Sequence, residues 1–559
     1  MLGRREFLAF AAAVAASLGM PGLARGQRQA IDQEALLGFR PLGQVTLLHF
    51  TDLHAQLVPL HFREAAVNIG LGDLADRPPR LAGRRLIERL GLAPDSLEAY
   101  LLGSDNFADL AKSFGPIGGL DRLATLVAAI RAERAERVLL FDGGDSFQGA
   151  YTTLASAGAD LLQALNLLRL DGMTGHWEFT LGEARWREIV DALNCPFLAG
   201  NVRERDFEDP VFEASRVFER GGLAIGVIGQ AFPYTPIANP AWLIPNWTFG
   251  IRHEALRQEV ARLRQAKVDL VVLLSHNGFD VDHKLARLVP GIDVILSGHT
   301  HDALLEPAVV GQTLIVASGS HGKFLSRLDL DMRGGRIAEW RYRLIPVLAQ
   351  AIAPDPGMAK AIAELRAPHA ARLAEPVART ETLLYRRGNF NGTADDLICD
   401  ALLAELDAEI AFSPGFRWGA TLLPGQDITL EDVYSLTAIS YPGTTRRQLS
   451  GRQIKAILED VADNLFNPDP FYRQGGDMVR TGGLGFRIRP AAPIGQRIDE
   501  LRLLAKDEPL AADKSYWVAG WAQVAEPAAG EPVYDVLLRY LRRQGTVRVE
   551  ERRAVRMAV

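Results

Sequence analysis

The chain has 559 residues, 48% of them hydrophobic and 23% charged, with a formal net charge of −6. That length gives room for two domains with sizeable cores, and the acidic balance argues against a nucleic-acid surface and offers nothing to an anionic membrane. The two cysteines, Cys195 and Cys399, are too far apart for a metal-ligand spacing and exclude a disulfide framework; two buried free thiols are expected, with a single disulfide as the alternative.

The first residues read as an export signal rather than as part of the fold. Gly3-Arg4-Arg5-Glu6-Phe7-Leu8 carries twin arginines, an apolar run follows from Ala9 to Met20, and small residues come at Ala24-Arg25-Gly26. This is the layout of the twin-arginine export route over residues 1–26, and it predicts a periplasmic location. The apolar run is about a dozen residues, short of the ~20 that span a bilayer. After an extended lead-in, short apolar runs at 45–50, 138–141, 223–229, 268–274, 294–296 and 313–317 read as strands. They alternate with amphipathic stretches at 120–134, 159–168, 186–193 and 253–266 that read as helices. The order predicts an α/β layered domain over residues 27–345. Residues 57–116 exceed a simple connection, with Pro78-Pro79 as a breaker, and read as an insertion near the mouth of a site. Pro354-Asp355-Pro356 opens a helix predicted to run to Ala374, with Met358, Ile362 and Leu365 at helical spacing and a kink or split at Pro368. Residues 346–380 are taken as a connector and 381–559 as a second, α+β domain.

Five stretches carry the chemistry. In Leu47-Leu-His-Phe-Thr-Asp-Leu-His54 an apolar strand ends in Asp52-x-His54, and alternation along an extended segment aims both side chains at one spot. Phe141-Asp-Gly-Gly-Asp145 ends a second strand in a carboxylate beside glycines, which let the backbone turn sharply and leave room for an ion. Gly175-His176-Trp177-Glu178-Phe179 sets a histidine after a loop glycine. Leu273-Leu-Ser-His276-Asn277 and Ile295-Leu-Ser-Gly-His299-Thr-His301 end two more strands in histidines. Any one of these is an ordinary turn former or a hydrogen-bonded rim residue. Together they bring Asp52, His54, Asp145, His176, His276, His299 and His301 to the carboxyl ends of strands, where open α/β sheets bind ligands. Oxygen and imidazole donors without a thiolate disfavour structural zinc and suit Mn(II), with Zn or Fe as alternatives. Seven donors exceed the needs of one four-coordinate ion. A pair of ions about 3.5–4 Å apart is predicted, bridged by Asp145 and sharing a water whose pKa falls to near neutrality.

These five blocks resemble the metallophosphatase domain of the 5′-nucleotidase family. Asn391-Gly-Thr-Ala-Asp-Asp-Leu-Ile-Cys-Asp-Ala401, Gly425-Gln-Asp-Ile-Thr-Leu-Glu-Asp432 and Leu449-Ser-Gly-Arg-Gln-Ile-Lys455 resemble its second domain. The resemblance implies a four-layer αββα domain followed by an α+β substrate-binding domain. It implies one metal held by Asp52, His54, Asp145 and His301, and a second held by Asp145, His176, His276 and His299. The chain departs from the family where nucleotidases read Gly-Asn-His-Glu-Phe-Asp. Here the ligand Asn is His176, the His that assists the leaving group is Trp177, and the Asp that orients that His is Thr180. An alkoxide leaving group gains from a general acid, whereas a thiolate near pKa ~8.5 departs without one. Trp donates a hydrogen bond but does not give up its proton. A sulfur leaving group is therefore expected.

The Gly-His-Trp-Glu-Phe block, with Phe412-Ser-Pro-Gly-Phe-Arg417-Trp-Gly419, resembles the thiosulfohydrolase branch of the family, from the periplasmic sulfur-oxidising (Sox) system. That resemblance implies a dimanganese hydrolase in which metal-bound hydroxide attacks a cysteine S-thiosulfonate on the carrier protein SoxYZ and releases sulfate. Arg417 matches the family's substrate-binding arginine, and a guanidinium suits the acceptor oxygens of a sulfonate. Asn277, Tyr441 and Asn391 are further substrate-binding candidates; Asn277 either binds an oxyanion or braces His276. Asp145, His176, Trp177 and Arg417 are taken as the catalytic set, with Trp177 as a channel wall or a core residue. Gly475-Gly476-Asp477-Met478-Val479-Arg480 reads as another loop near the cleft. A monomer is expected, with no nucleic-acid or membrane partner. The competing readings are an exported 5′-nucleotidase or cyclic-nucleotide phosphodiesterase, which predicts an aromatic pair sandwiching a base, and a metal-stabilised binding protein without catalysis.

Overall fold

A computed structural model of the chain describes residues 31–552 and 554–558, so the export signal assigned to residues 1–26 lies outside the described residues. Two sheets form the centre of the first domain. One runs in the order Arg336–Pro346, Phe324–Arg333, Val45–Phe50, Val138–Asp142, Gly172–Met173. The other runs Ala308–Val310, Thr313–Ala317, Val294–Ser297, Leu270–Ser275, Leu223–Gln230, Ser215–Arg220. Val45–Phe50 lies parallel to Val138–Asp142, and the four inner strands of the second sheet are mutually parallel.

Side-chain alternation dictates the layers. In the second sheet Val272, Leu274, Val294, Leu296 and Val316 join the core built on the first sheet. The residues between them, Val271, Leu273, Ile295 and Ile315, pack instead on Leu256, Val260 and Leu263 of the His253–Gln265 helix and on Phe279 and Leu285 of the Phe279–Leu288 helix. Both faces of each strand are thus covered, which is why these strands read as unbroken apolar runs. The Leu120–Arg134 helix packs on the first sheet through Leu123, Leu126, Val127 and Ile130. Each fully buried aliphatic side chain contributes about 1.5–3 kcal/mol relative to an exposed one. Helix, sheet, sheet, helix is the order through this domain.

The predicted strands and helices of this domain all form, with end shifts of up to three residues; the helix expected at 186–193 runs Glu183–Ala192. The split offered as one outcome at Pro368 does not occur: Pro356–Leu373 is one helix with Pro368 inside it. Asp355 caps it, its carboxylate accepting from the Met358 N–H at 2.8 Å, and Met358 and Ile362 anchor it in the core. Beyond it a four-stranded sheet, Thr444–Ser450, Ser515–Trp521, Ile410–Ser413, Arg480–Gly482, carries the helices of the second α+β unit. Residues 57–116 fold as loops and three short helices, Gly83–Leu90, Leu97–Leu102 and Phe107–Phe114. They tie the halves together: the Arg63 N–H donates to Thr421 Oγ1 (3.0 Å) and the Ile69 N–H to Asn389 Oδ1 (2.7 Å). Both cysteines are free; Cys399 is buried, and Cys195 is half-buried rather than buried. Among the described residues no helix is long and apolar enough to cross a membrane.

Candidate dimetal centre

The strands Val45–Phe50, Val138–Asp142, Leu270–Ser275 and Val294–Ser297 each stop a few residues before a candidate ligand. The ligands converge, but not by strand alternation as the sequence suggested. Asp52 (φ 53°), His54 (φ 49°), Asp145 (φ 60°), His299 (φ 74°) and His301 (φ 56°) all have left-handed backbone, beyond the strand ends. That conformation costs a non-glycine residue about 1–3 kcal/mol and persists only where the surroundings over-determine it. Here the loops are cross-linked through their backbones. The Asp52 N–H donates to Gly144 O (2.8 Å), His54 N–H to Asp145 O (2.9 Å) and His321 N–H to Asp52 O (2.8 Å). The loops also approach closely enough that a Cβ on Gly143 or Gly298 would sit 2.4 or 2.5 Å from Thr51 Oγ1.

The outcome is two overlapping groups, Asp52, His54, Asp145, His301 and Asp145, His176, His276, His299, each with ligand atoms within 4.8 Å of one another. Asp145 belongs to both, with His176 Nδ1 at 3.1 Å from Oδ1 and His276 Nε2 at 3.2 Å from Oδ2. His54 Nε2 and His301 Nε2 stand 2.9 Å apart, and His301 Nε2 is 3.2 Å from Asp52 Oδ1. Two tautomers follow from the partners. His276 Nδ1 donates to Gly143 O (2.6 Å) and His299 Nε2 to Gln474 O (2.8 Å), leaving His276 Nε2 and His299 Nδ1 as bare lone pairs. Buried atoms of all six side chains other than Asp145 lack a hydrogen-bond partner: Asp52 Oδ1, His54 Nδ1, His176 Nε2, His276 Nε2, His299 Nδ1 and His301 Nδ1. So many unpaired acceptors in one dry pocket are costly unless cations fill them, and the oxygen–imidazole set fits divalent metals. The two groups can hold a dinuclear metal site.

Electrostatics agree for three of the rings and differ at His276. There burial acts to lower the pKa, but Asp145 and Asp52 outweigh it and push the ring up to about 9, so a cation there displaces a proton. Burial pushes His54 down to about 4 and holds His299 and His301 well below the usual imidazole range, so these rings are neutral, as ligands must be. Burial raises Asp52 to about 7, with Asp145 adding repulsion. Burial also acts to raise Asp145, but His176 and His276 outweigh it and hold that carboxyl well below its usual range.

Above the ligands lies a cleft of about 830 Å3, open mouth included. Trp177, buried and 6% exposed, forms one wall. It sits edge-on to Trp418 (5.0 Å between ring centroids) and Phe416 (5.2 Å), and its backbone N–H donates to Asp145 Oδ1 at 3.0 Å. Phe232 lies against His176 and His299. Arg417 comes from the second domain and donates to the carbonyls of His299 and Thr300.

Residues 376–536 match the family of 5′-nucleotidase C-terminal domains. The whole chain is similar to the solved Thermus thermophilus sulfate thiohydrolase SoxB in complex with glycerol: 38% identity, TM-score 0.89, covering 93% of this chain and 97% of that one. The chain belongs to the 5′-nucleotidase family. Within it, the mouse 5′-nucleotidase is 27% identical over 480 residues, 76% of this chain and 80% of the relative. A 5′-nucleotidase precursor from Thermus thermophilus is 21% identical with TM-score 0.73, covering 92% of this chain and 99% of that one, a likeness of fold. The protein is accordingly a hydrolase of metallophosphatase type, related to SoxB.

Against the family pattern, the seven candidate ligands meet, and Trp177 and Arg417 join them at the cleft. Asn277 is committed on one side only: its Nδ2 donates to Gln230 Oε1 (2.6 Å) and Ser275 Oγ (2.8 Å), while its Oδ1 is buried without a partner and the residue lines a hollow with His299 and Arg417. Tyr441 stacks on Trp177 at 6.1 Å, with its hydroxyl buried and unpaired. Asn391 is occupied within the second domain by Asp396 and Thr481. Sequence reasoning passed over four residues. Glu178, inside the quoted motif, accepts from the N–H groups of His176 (2.6 Å) and Ser146 (2.7 Å) and so fixes two loops at once. His321 lies 5.3 Å from His54, ring to ring, with Nε2 unpaired. Arg387 donates to His301 O at 3.2 Å. Asn239 lines the cleft. The last three carry no local motif, and only the fold brings them here.

Proposed function

We propose that the protein releases sulfate from a sulfonate carried on sulfur, the substrate being a cysteine S-thiosulfonate on a carrier protein such as SoxYZ, in the periplasm after twin-arginine export. The observation that carries this reading is what stands in place of the family's acid dyad. Trp177 occupies the position of the acid, and the Thr180 hydroxyl, in place of the orienting carboxylate, donates to the Trp177 carbonyl at 2.7 Å. The other carboxyl lining the cleft, that of Asp477, is held by Arg480 (2.9 Å) and Asn389 (3.3 Å). Among the described residues that line the cleft, none is thus set as a proton-giving acid against the departing atom, since the Arg417 guanidinium keeps its protons. Such a site suits a thiolate or perthiolate, which leaves without a proton, better than an alkoxide.

Two divalent cations, Mn(II) being the best match to these donors with Zn or Fe as alternatives, would supply Lewis acidity and lower the pKa of a water. Asp145 would be shared between them, while Gly143 and Gln474 carbonyls keep the His276 and His299 lone pairs turned inward. Arg417 stands at the rim of the ligands and would grip the sulfonate oxygens. An oxygen–sulfur bond forms as the sulfur–sulfur bond breaks; sulfate leaves with the oxygen, and the carrier keeps the electron pair as a perthiolate.

A second reading, hydrolysis of nucleotides, draws on the names of the curated relatives. It needs a slot for a base, and Phe416 and Trp418 stack on each other at 4.1 Å with no room for a ring between them. The test is purified Mn-loaded protein given a thiosulfonated carrier or AMP in parallel. Sulfate from the first without phosphate from the second supports the proposal; phosphate alone overturns it. Trp177→His with Thr180→Asp should then raise phosphomonoesterase activity.

A further inference from the structure

One polar side chain in the cleft wall is used neither by the ligand groups nor by the fold. Asn239 follows the short Thr235–Ala238 helix, and its backbone N–H is satisfied by Thr235 O at 2.9 Å. The side chain is 2% exposed, lines the cleft with His176, Trp177 and His299, and has no partner for either Nδ2 or Oδ1. It is the one amide side chain among the described residues with both ends buried and unpaired. Leaving a donor and an acceptor dry is costly, and a fold retains such a pair where a ligand supplies the partners.

The chemistry of that ligand can be read from the amide. A free N–H donor beside a free carbonyl acceptor complements the C=O and N–H of one residue in an extended backbone, which point to the same side. It does not suit the sulfonate, which has acceptors only and has Arg417. Beside Asn239 the surface presents apolar side chains to a polypeptide visitor: Ile237, two residues earlier, is 61% exposed, and Tyr472, near Tyr234, is 66% exposed.

We infer that Asn239 hydrogen-bonds a backbone amide of the peptide arm that carries the sulfur substrate into the cleft, an inference that rests on the function proposed above. Asn239 is then a specificity residue for tethered over free substrates. Sites built to pair with a substrate's polar group reject analogues that lack it.

The experiment compares a short peptide bearing a cysteine S-thiosulfonate with the S-thiosulfonate of 2-mercaptoethanol, which has no amide. Asn239→Ala, and Asn239→Leu as a variant of nearly unchanged volume, should raise KM for the peptide about tenfold or more while kcat/KM for the small substrate stays within about twofold. Metal content and melting temperature, read on both variants, should match the parent. N-methylation of the peptide amides, one at a time, should find one position that weakens the parent enzyme as much as Asn239→Ala does and costs the variant nothing further. Equal losses on both substrates, unchanged KM for the peptide, or a selective loss of AMP binding would each overturn the inference. A parent enzyme that releases sulfate from neither substrate overturns the proposed function itself, an outcome distinct from these.

Discussion

The floor of the cleft and its roof are built by different means. The floor is first-domain material: seven side chains on loops stitched by their own backbones, with strain in the left-handed residues held by those stitches. The roof comes from the second domain; its rings pack on the floor, Trp418 on His54 and Trp177, and its hydrogen bonds to the ligand loops gather at one turn, residues 299–301. Arg417 donates to the carbonyls of His299 and Thr300, Arg387 to that of His301, and the Gln474 carbonyl accepts from the His299 ring. The two ligand groups therefore differ. In the group of Asp52, His54, Asp145 and His301, the side chains take their hydrogen bonds from the first domain, and the second domain adds the Trp418 ring against His54. In the other, the ring of His299 takes its orientation from a domain that contributes no ligand.

The largest effect tests what the groups share. Asp145 is the one residue common to both, so Asp145→Ala should strip both ions and cut hydrolysis by at least about a thousandfold. Elemental analysis beside the rate checks it; a variant that keeps two ions and its activity ends the dinuclear account. Chelation of the native protein should have the same consequence, reversed by added Mn(II). Next comes the roof. Arg417→Ala should lower kcat/KM about a hundredfold, equivalent to ~2.7 kcal/mol, with Arg417→Lys restoring part of it. Ion content measured on the Ala variant separates its two contacts: retained ions mean a lost grip on substrate, lost ions mean the turn itself depends on the guanidinium.

The same division explains what could be read from the sequence. The floor was legible because its ligands stand within a few residues of apolar strands that must be buried on both faces, so Val45–Phe50 and Leu270–Ser275 announced Asp52 and His276. Asp52 and His54 converge by a left-handed turn and not by extended alternation, which stops at Phe50. The roof was mostly illegible. Arg417 was found through a motif, but the Gln474 carbonyl is backbone and any residue would supply it. Asn239 has meaning only beside Trp177 and His299, which the fold alone brings near. Asn391 misled in the other direction: its motif reads as substrate-binding, and its hydrogen bonds hold the start of the Thr393–Glu405 helix to Thr481.

The smallest effect is the sharpest probe of the seam between floor and roof. Gly475 has φ +72°, and a Cβ added there would lie 2.6 Å from His299 Nε2. Alanine at this position cannot be accommodated without moving the His299 ring or pulling the Gln474 carbonyl away from it. Either movement frees the ring to turn and misdirects the Nδ1 lone pair. Partners that orient a ligating histidine are worth about 10–100-fold in metal affinity. Gly475→Ala should therefore weaken one ion about tenfold and leave the other, held by Asp52, His54, Asp145 and His301, unchanged, so that a metal titration turns from one phase into two. Equal weakening of both ions would mean that the roof supports the whole floor, through Arg387 on His301 as much as through Gln474 on His299. No weakening would mean that the first domain sets both groups unaided, and that the roof acts on the substrate alone.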